Sequence, residues 1–249
     1  MSFANSFQAP AACFALAVLA AAPSCAAPAP APSVLPSSAD LVYRTTATMK
    51  LMGLPVTLHA RTTTRWRLDG GRYEMHLHMD TADFDQISRG RLGPDGDLVP
   101  DRYEEKRPFH EPDAVDVDWA HGDVRFGGAP PAPAPEAGAQ DRLSLQFQLG
   151  QLRQHYPEQF VSGSVHTVKL IGTHDVDLWH FTVGQEDAIE TGRGSMRAVR
   201  FSAHRTVGSV EETMDIWLGA ELRWMPVRIR IVDRKGSVID SVLQDADLP

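Results

Sequence analysis

The stretch "DIWLGAELRWMPVRIRIVDRKGSVIDSVLQ" (Asp215–Gln244) decides the fold class. Val227, Ile229 and Ile231 alternate with Arg228 and Arg230, the period of a strand with one apolar and one wet face. Asp233–Gly236 ("DRKG") is a turn, and "SVIDSVLQ" reads as the next strand. Upstream, Ile216 and Leu218 share a face and Trp217 points the other way. Gly219–Met225 is the connection, and Pro226 opens a strand, where its missing N–H does least harm. Aliphatic side chains therefore turn inward and arginines turn to water. Trp217 and Trp224 are candidates to cap a barrel or line its mouth. With Arg228 and Arg230 they form the candidate ligand-binding set.

The same period runs through most of the 249 residues. "LVYRTTATMK" and "VTLHARTTTRWRL" flank "LMGLP", and "DGGR" (Asp69–Arg72) turns the chain again. In "YEMHLHMDTA", Tyr73, Met75, Leu77 and Met79 alternate with Glu74, His76, His78 and Asp80. Turns follow at Gly93–Gly96 ("GPDG") and His121-Gly122. One helix is expected over residues 141–156, with Asp141 as N-cap and Pro157 as its stop. Leu145, Leu149 and Leu152 form its stripe, with Phe147 and Tyr156 near it, and Gly150 weakens it. Strands then resume to the end. About a dozen strands and one helix predict a mostly β protein. Its single antiparallel sheet should be strongly curled or barrel-like, because so many strands laid flat would leave open edges.

The ends and linkers set the domain plan. "AACFALAVLAAA" (Ala11–Ala22) is too short to span a bilayer and suits the core of a signal peptide, followed by "SCA" (Ser24–Ala26). Residues 1–26 are expected to be a signal peptide directing the protein to the periplasm, although "MSFANSFQ" carries no Lys or Arg. The chain has two cysteines, Cys13 and Cys25. Cleavage after Ala26 removes both, leaving no disulfide, thiolate ligand or cysteine nucleophile. Lipoprotein anchoring at Cys25 is the alternative. Residues 27–39 read as a Pro/Ala linker, and 40–249 as one β domain interrupted by a disordered Pro/Ala-rich loop, "GGAPPAPAPEAGA" (127–139). No transmembrane segment is expected. A net charge of −8 and a pI of about 5.6 argue against a nucleic-acid partner, and against electrostatic docking on anionic lipid.

Several segments together resemble the bacterial domain-of-unknown-function family 3108, found in envelope proteins of Gram-negative bacteria. They are an opening strand with Tyr43, Gly53-Leu54, "SRGRLGPDGDLVPDRYEEKR" (Ser88–Arg107), the helix "LSLQFQLGQL", "IETGRG" and the closing "WLGAELRWMPVRIRIVDRKGSVIDSVL". The resemblance covers roughly 40–245. It implies a periplasmic or membrane-associated β protein and carries no activity with it. A looser likeness, of fold only, is to half-open β-barrels that carry lipid or lipoprotein acyl chains.

Chemistry-bearing clusters are sparse. His76 and His78 share a strand face, and His59 lies on the preceding strand, so the three are weak metal candidates. His174, Asp175, Asp177 and His180 form a second, turn-like cluster. Neither Ser88 nor Ser195 sits in a nucleophile elbow. Adjacent carboxylates such as Glu104-Glu105 point to opposite strand faces. Strand methionines suit an adaptable apolar surface, and Met75 and Met79 join Trp217, Trp224, Arg228 and Arg230 in the candidate ligand-binding set. The expected function is a non-enzymatic envelope protein, without cofactor, that binds an apolar ligand (lipid or acyl chain) or an envelope protein partner. The alternatives are a metal-dependent hydrolase using the His-rich face and an envelope assembly scaffold recognised through a sheet edge.

Overall fold

The alternating segments fold into one fifteen-stranded sheet in the computed structural model, which describes residues 35–249 except 52, 208 and 209. The expected signal peptide, most of the 27–39 linker, both cysteines and Met52 lie outside the described residues. The first half is a meander of β1 (Ser38–Leu51), β2 (Leu54–Asp69), β3 (Arg72–Met79), β4 (Phe84–Leu92), β5 (Leu98–Lys106), β6 (Asp113–Asp118), β7 (Asp123–Phe126) and β8 (Ala132–Pro133). Then come β9 (Gln140–Asp141) and the helix α1 (Ser144–His155). The second half is β10 (Val165–Ile171), β11 (Val176–Thr191), β12 (Gly194–Val207), β13 (Val210–Gly219), β14 (Met225–Val232) and β15 (Val238–Asp247). A short 3-10 turn (Ala220–Leu222) precedes β14.

The two halves meet in the middle, where β1 pairs with β15. Thr45 Oγ1 lies 2.7 Å from Thr62 Oγ1 and 2.8 Å from Ser241 Oγ, a buried hydroxyl chain across β2, β1 and β15. The outer edges are β8 and β9, and all pairs are antiparallel except β9 with β10. Six residues, 134–139, join those edges. They span at most about 25 Å, whereas the edges of a flat fifteen-stranded sheet would lie about 67 Å apart. The sheet therefore has to curl, and it does so without closing.

The Pro/Ala stretch expected as a disordered loop is the strap across this gap. Ala132–Pro133 pair with β7, Ala134 N donates to Gly122 O at 2.8 Å, and Glu136 meets Lys169 Nζ of β10 at 3.0 Å. Prolines suit this place because an edge needs no N–H on its open side. The linker is likewise shorter than expected. Leu35 is buried, Pro36 O accepts from Trp66 Nε1 at 2.7 Å, and β1 starts at Ser38.

The helix begins later than expected, at Ser144. Asp141 lies in β9 but still caps it, accepting from Leu143 N and Ser144 N at 2.8 Å each. Residues Ser144–Gln151 are all buried. Leu145 and Leu149 join a cluster with Phe181, Phe201 and Ile216. Phe147 points away from that stripe and stacks on Trp66 at 5.4 Å. Between these apolar faces the glutamines bind the β4–β5 turn. Gln148 accepts from Leu98 N and donates to Asp97, and Gln151 Nε2 donates to Gly96 O. The helix therefore fills the curled sheet.

Gly150 has a packing reason. A Cβ there would lie 2.2 Å from Trp224 O, a backbone atom that cannot swing aside. In an exposed helix Gly→Ala stabilises by about 1 kcal/mol. Here Gly150→Ala should instead destabilise by about 2 kcal/mol through overpacking, measured as a lowered urea midpoint. A raised midpoint would show that α1 does not press against Trp224.

Candidate functional site

The most enclosed polar group is at the start of α1. Asp141, Ser88 and Ser144 are fully buried, and Tyr73 is nearly so. Ser88 Oγ donates to Asp141 Oδ2 at 2.5 Å, and Tyr73 OH is 3.2 Å from Ser88 Oγ. Asp141 N donates back to Ser144 Oγ at 3.0 Å. Burial pushes the Asp141 carboxyl up to about 6, against hydrogen bonds from Ser88, Ser144 and Leu143 that pull it down. The cap and the serine were both legible in the sequence, but 53 positions separate them. With no route to solvent, this group acts as a fastening between α1 and β4.

The three-histidine set does not assemble. His76 Nε2 and His78 Nδ1 both reach Asp85 Oδ1, at 2.9 and 2.8 Å. Burial raises the Asp85 carboxyl, but the two imidazole hydrogen bonds carry it below its ordinary value. His59 is elsewhere, because β2 extends well past the end of β3. His78 pairs with Thr63, four residues along from His59, which contacts Thr46 Oγ1 at 3.3 Å. Among the described residues no cluster of three or more potential ligands could hold a metal. The second cluster also disperses. Asp177 pairs with Arg205, His180 with Thr167 Oγ1, and His174 faces Asp113 at 3.7 Å.

The expected ligand set separates into three places. Trp217 is only 6% exposed and shares a cluster with Met196, Leu222, Met225 and Val227, so both faces of β13 are covered. Arg200 and Arg228 lie over its ring at 5.9 and 4.8 Å. Arg228 also pairs with Asp240 through two bonds of 2.9 and 2.6 Å. Arg230 is half-buried beside it on the same face. Trp224 lies against α1, with φ 61° and Arg153 over its ring at 4.6 Å. Met75 is fully buried opposite Trp66, and Met79 is 8% exposed opposite Thr62.

Two open surfaces bear on these expectations. A groove of about 240 Å³ lies where the halves of the sheet approach, lined by Glu105, Arg107, Arg142, His174, Glu212 and Arg234 among others. Half of its formal charges are already paired, as in Arg107–Asp113 and Arg234–Glu212. The second is the far end of the β1–β2 hairpin. There Leu54, Leu58 and Met49 are 69, 46 and 37% exposed. The pairs Met49–Val56 and Ala47–Leu58 place this strip on the side that carries buried Tyr43 and Thr45 farther down the strand. Composition alone did not reveal it, since the strip is exposed only because β2 outruns β3.

The family model described as "Protein of unknown function (DUF3108)" matches residues 43–243. No curated protein matches the chain. Among solved structures, a β-barrel-like protein of domain of unknown function DUF1849 from Brucella abortus is similar with a TM-score of 0.54 at 11% identity, covering 86% of this chain and 98% of that one. At that identity the likeness is one of fold alone. A DUF1329 family protein from Desulfovibrio piger (TM-score 0.26, 9% identity, 86% of each chain) is more distant. So is a putative outer membrane lipoprotein-sorting protein domain from Vibrio parahaemolyticus (TM-score 0.25, 8% identity, 84% of this chain and 85% of that one).

The buried carboxyl has a pH signature. Its value is 3.8 in an unfolded chain and about 6 when folded. The folded state therefore holds the extra proton between those values, and stability falls as pH rises through that window. The size is about 3 kcal/mol. Asp141→Asn keeps an acceptor for the helix N–H groups and removes the titration. Its stability relative to the wild type should rise by that amount between pH 4 and 7 in denaturant titrations. A difference independent of pH would remove Asp141 as the cause.

Proposed function

The chain belongs to the DUF3108 family, and we propose that it is a non-catalytic protein of the cell envelope, exported by the leader at 1–26, that holds an apolar group on the projecting end of its β1–β2 hairpin. The group is an acyl chain or the apolar segment of a partner protein. The observation that carries this reading is the strip of Met49, Leu54 and Leu58 on one face of that hairpin. Single exposed apolar residues are ordinary, whereas three on one projecting face offer a place for an apolar occupant. The interior offers less room for a ligand, because α1 lies in it. A catalytic reading draws little support from Ser88 and Asp141, which are sealed from solvent, or from histidines that do not converge.

A second reading, the scaffold, is favoured by one edge. β2 runs from Leu54 to Asp69, but β3 pairs only with Thr62–Asp69. The remaining edge can accept a partner's strand, although Pro55 lacks an N–H and shortens it.

Titrating the protein with a fluorescent fatty acid, alongside native mass spectrometry for copurified lipid, tests the apolar-group reading. Leu54→Glu with Leu58→Glu should weaken uptake at least about ten-fold, since burying a charge against the apolar group costs well over 1.4 kcal/mol, and leave the melting curve in place. No uptake by the wild type, or equal uptake by the variant, would sink it.

A further inference from the structure

The net charge of −8 hides a cationic row. Strand register places Arg200 (β12), Trp217 (β13), Arg228 (β14), Val242 (β15), Arg44 (β1) and Arg61 (β2) in one line across six adjacent strands. Directly opposite residues share a face, so the line runs over one side of the sheet for about 24 Å. This is the side turned away from the buried Leu41, Tyr43 and Thr45. Arg230 joins the row from the next same-face position on β14.

Carboxylates also stand on this face, and Asp215 and Asp240 lie directly opposite Arg230 on the neighbouring strands. Asp240 pairs with Arg228, Asp245 meets Arg193 at 3.4 Å, and Asp215 accepts from Ser202 Oγ. Among the described residues Arg44, Arg61 and Arg230 have no ion-pair partner. Arg44 and Arg61 stand directly opposite each other, an arrangement that costs stability between like charges. Shallow grooves flank Arg44. One, of about 400 Å³, lies between Arg44 and Arg230, with Thr46, Thr48, Val238 and the Arg228-paired Asp240 in its walls. The other, of about 370 Å³, lies between Arg44 and Arg61, with Asp245 in its wall.

We propose that this face docks on an anionic membrane surface, with Arg44, Arg61 and Arg230 taking lipid phosphate groups. The guanidinium fork matches phosphate oxygens in pairs. These three arginines span β14 to β2, about 14 Å, so a compact anion would meet one or two of them, whereas a plane of phosphates meets all three. The protein's overall negative charge does not forbid the contact. Charges more than about 8 Å away are largely screened at physiological salt, so phosphates against the row respond to the row. This inference stands apart from the apolar strip.

Cosedimentation of the full chain with vesicles tests it, using phosphatidylcholine alone and phosphatidylcholine with added phosphatidylglycerol. The leader and linker are common to every variant, so differences between variants report the row. The wild type should prefer the anionic vesicles and lose that preference in high salt. Each basic residue at such a surface contributes about five-fold. The triple variant Arg44→Gln, Arg61→Gln, Arg230→Gln should therefore partition about a hundred-fold less, with unchanged circular dichroism and melting. The corresponding triple lysine variant should retain most of the binding. Leu54→Ser with Leu58→Ser, which perturbs the apolar strip, should keep the anionic preference, so the two readings fail separately. Equal partition of the wild type onto both vesicles, or unchanged partition of the glutamine triple, overturns the proposal.

Discussion

The six residues between β8 and β9 are the constraint on which the architecture depends. A connection of that length can join the outermost strands only if the sheet bends through most of a circle. Once it bends, its inner face encloses a space that must be filled, and the chain supplies α1 immediately after the strap. The strap also shields part of both edges, through pairing with β7 on one side and the Glu136–Lys169 contact on the other. An exposed pair of long edges would otherwise template unwanted association.

Filling by a helix imposes its own rules. The helix presents leucines to one cluster, Phe147 to another and glutamines to the β4–β5 turn. Buried amides need partners, and the backbone of residues 96–98 provides three, although among the described residues Gln140 Oε1 and Gln151 Oε1 find none. Asp141 fixes the start of the same helix to β4 through Ser88. The polar contacts thus set the position of an element whose apolar contacts alone would allow sliding.

The strands were legible because each carries its own alternation, and the tail from Asp215 to Gln244 folds as its period indicates. What was not legible depends on distant segments. Proline and alanine read as disorder, yet here they run along an edge that only the curled sheet creates. Trp217 sits on the face its alternation assigns, but that face is covered by Met196 and by the turn around Leu222. Gly150 looked like a weakness in the helix and is a clearance for Trp224. His59 shares a parity with His78 across the hairpin, but unequal strand lengths carry it past the end of β3. Net charge, a sum over all residues, could not show that arginines from four of six adjacent strands fall into line.

The pairing of β1 with β15 has a consequence for the order in which the molecule can be completed. Thr45 meets Ser241 across 196 positions of sequence. At roughly 5–20 residues per second of synthesis, that interval is about 10–40 s. Until β15 has been made, one flank of β1 has no strand to pair with, and the central seam cannot form. Loss of β15 would leave this protein open along its midline.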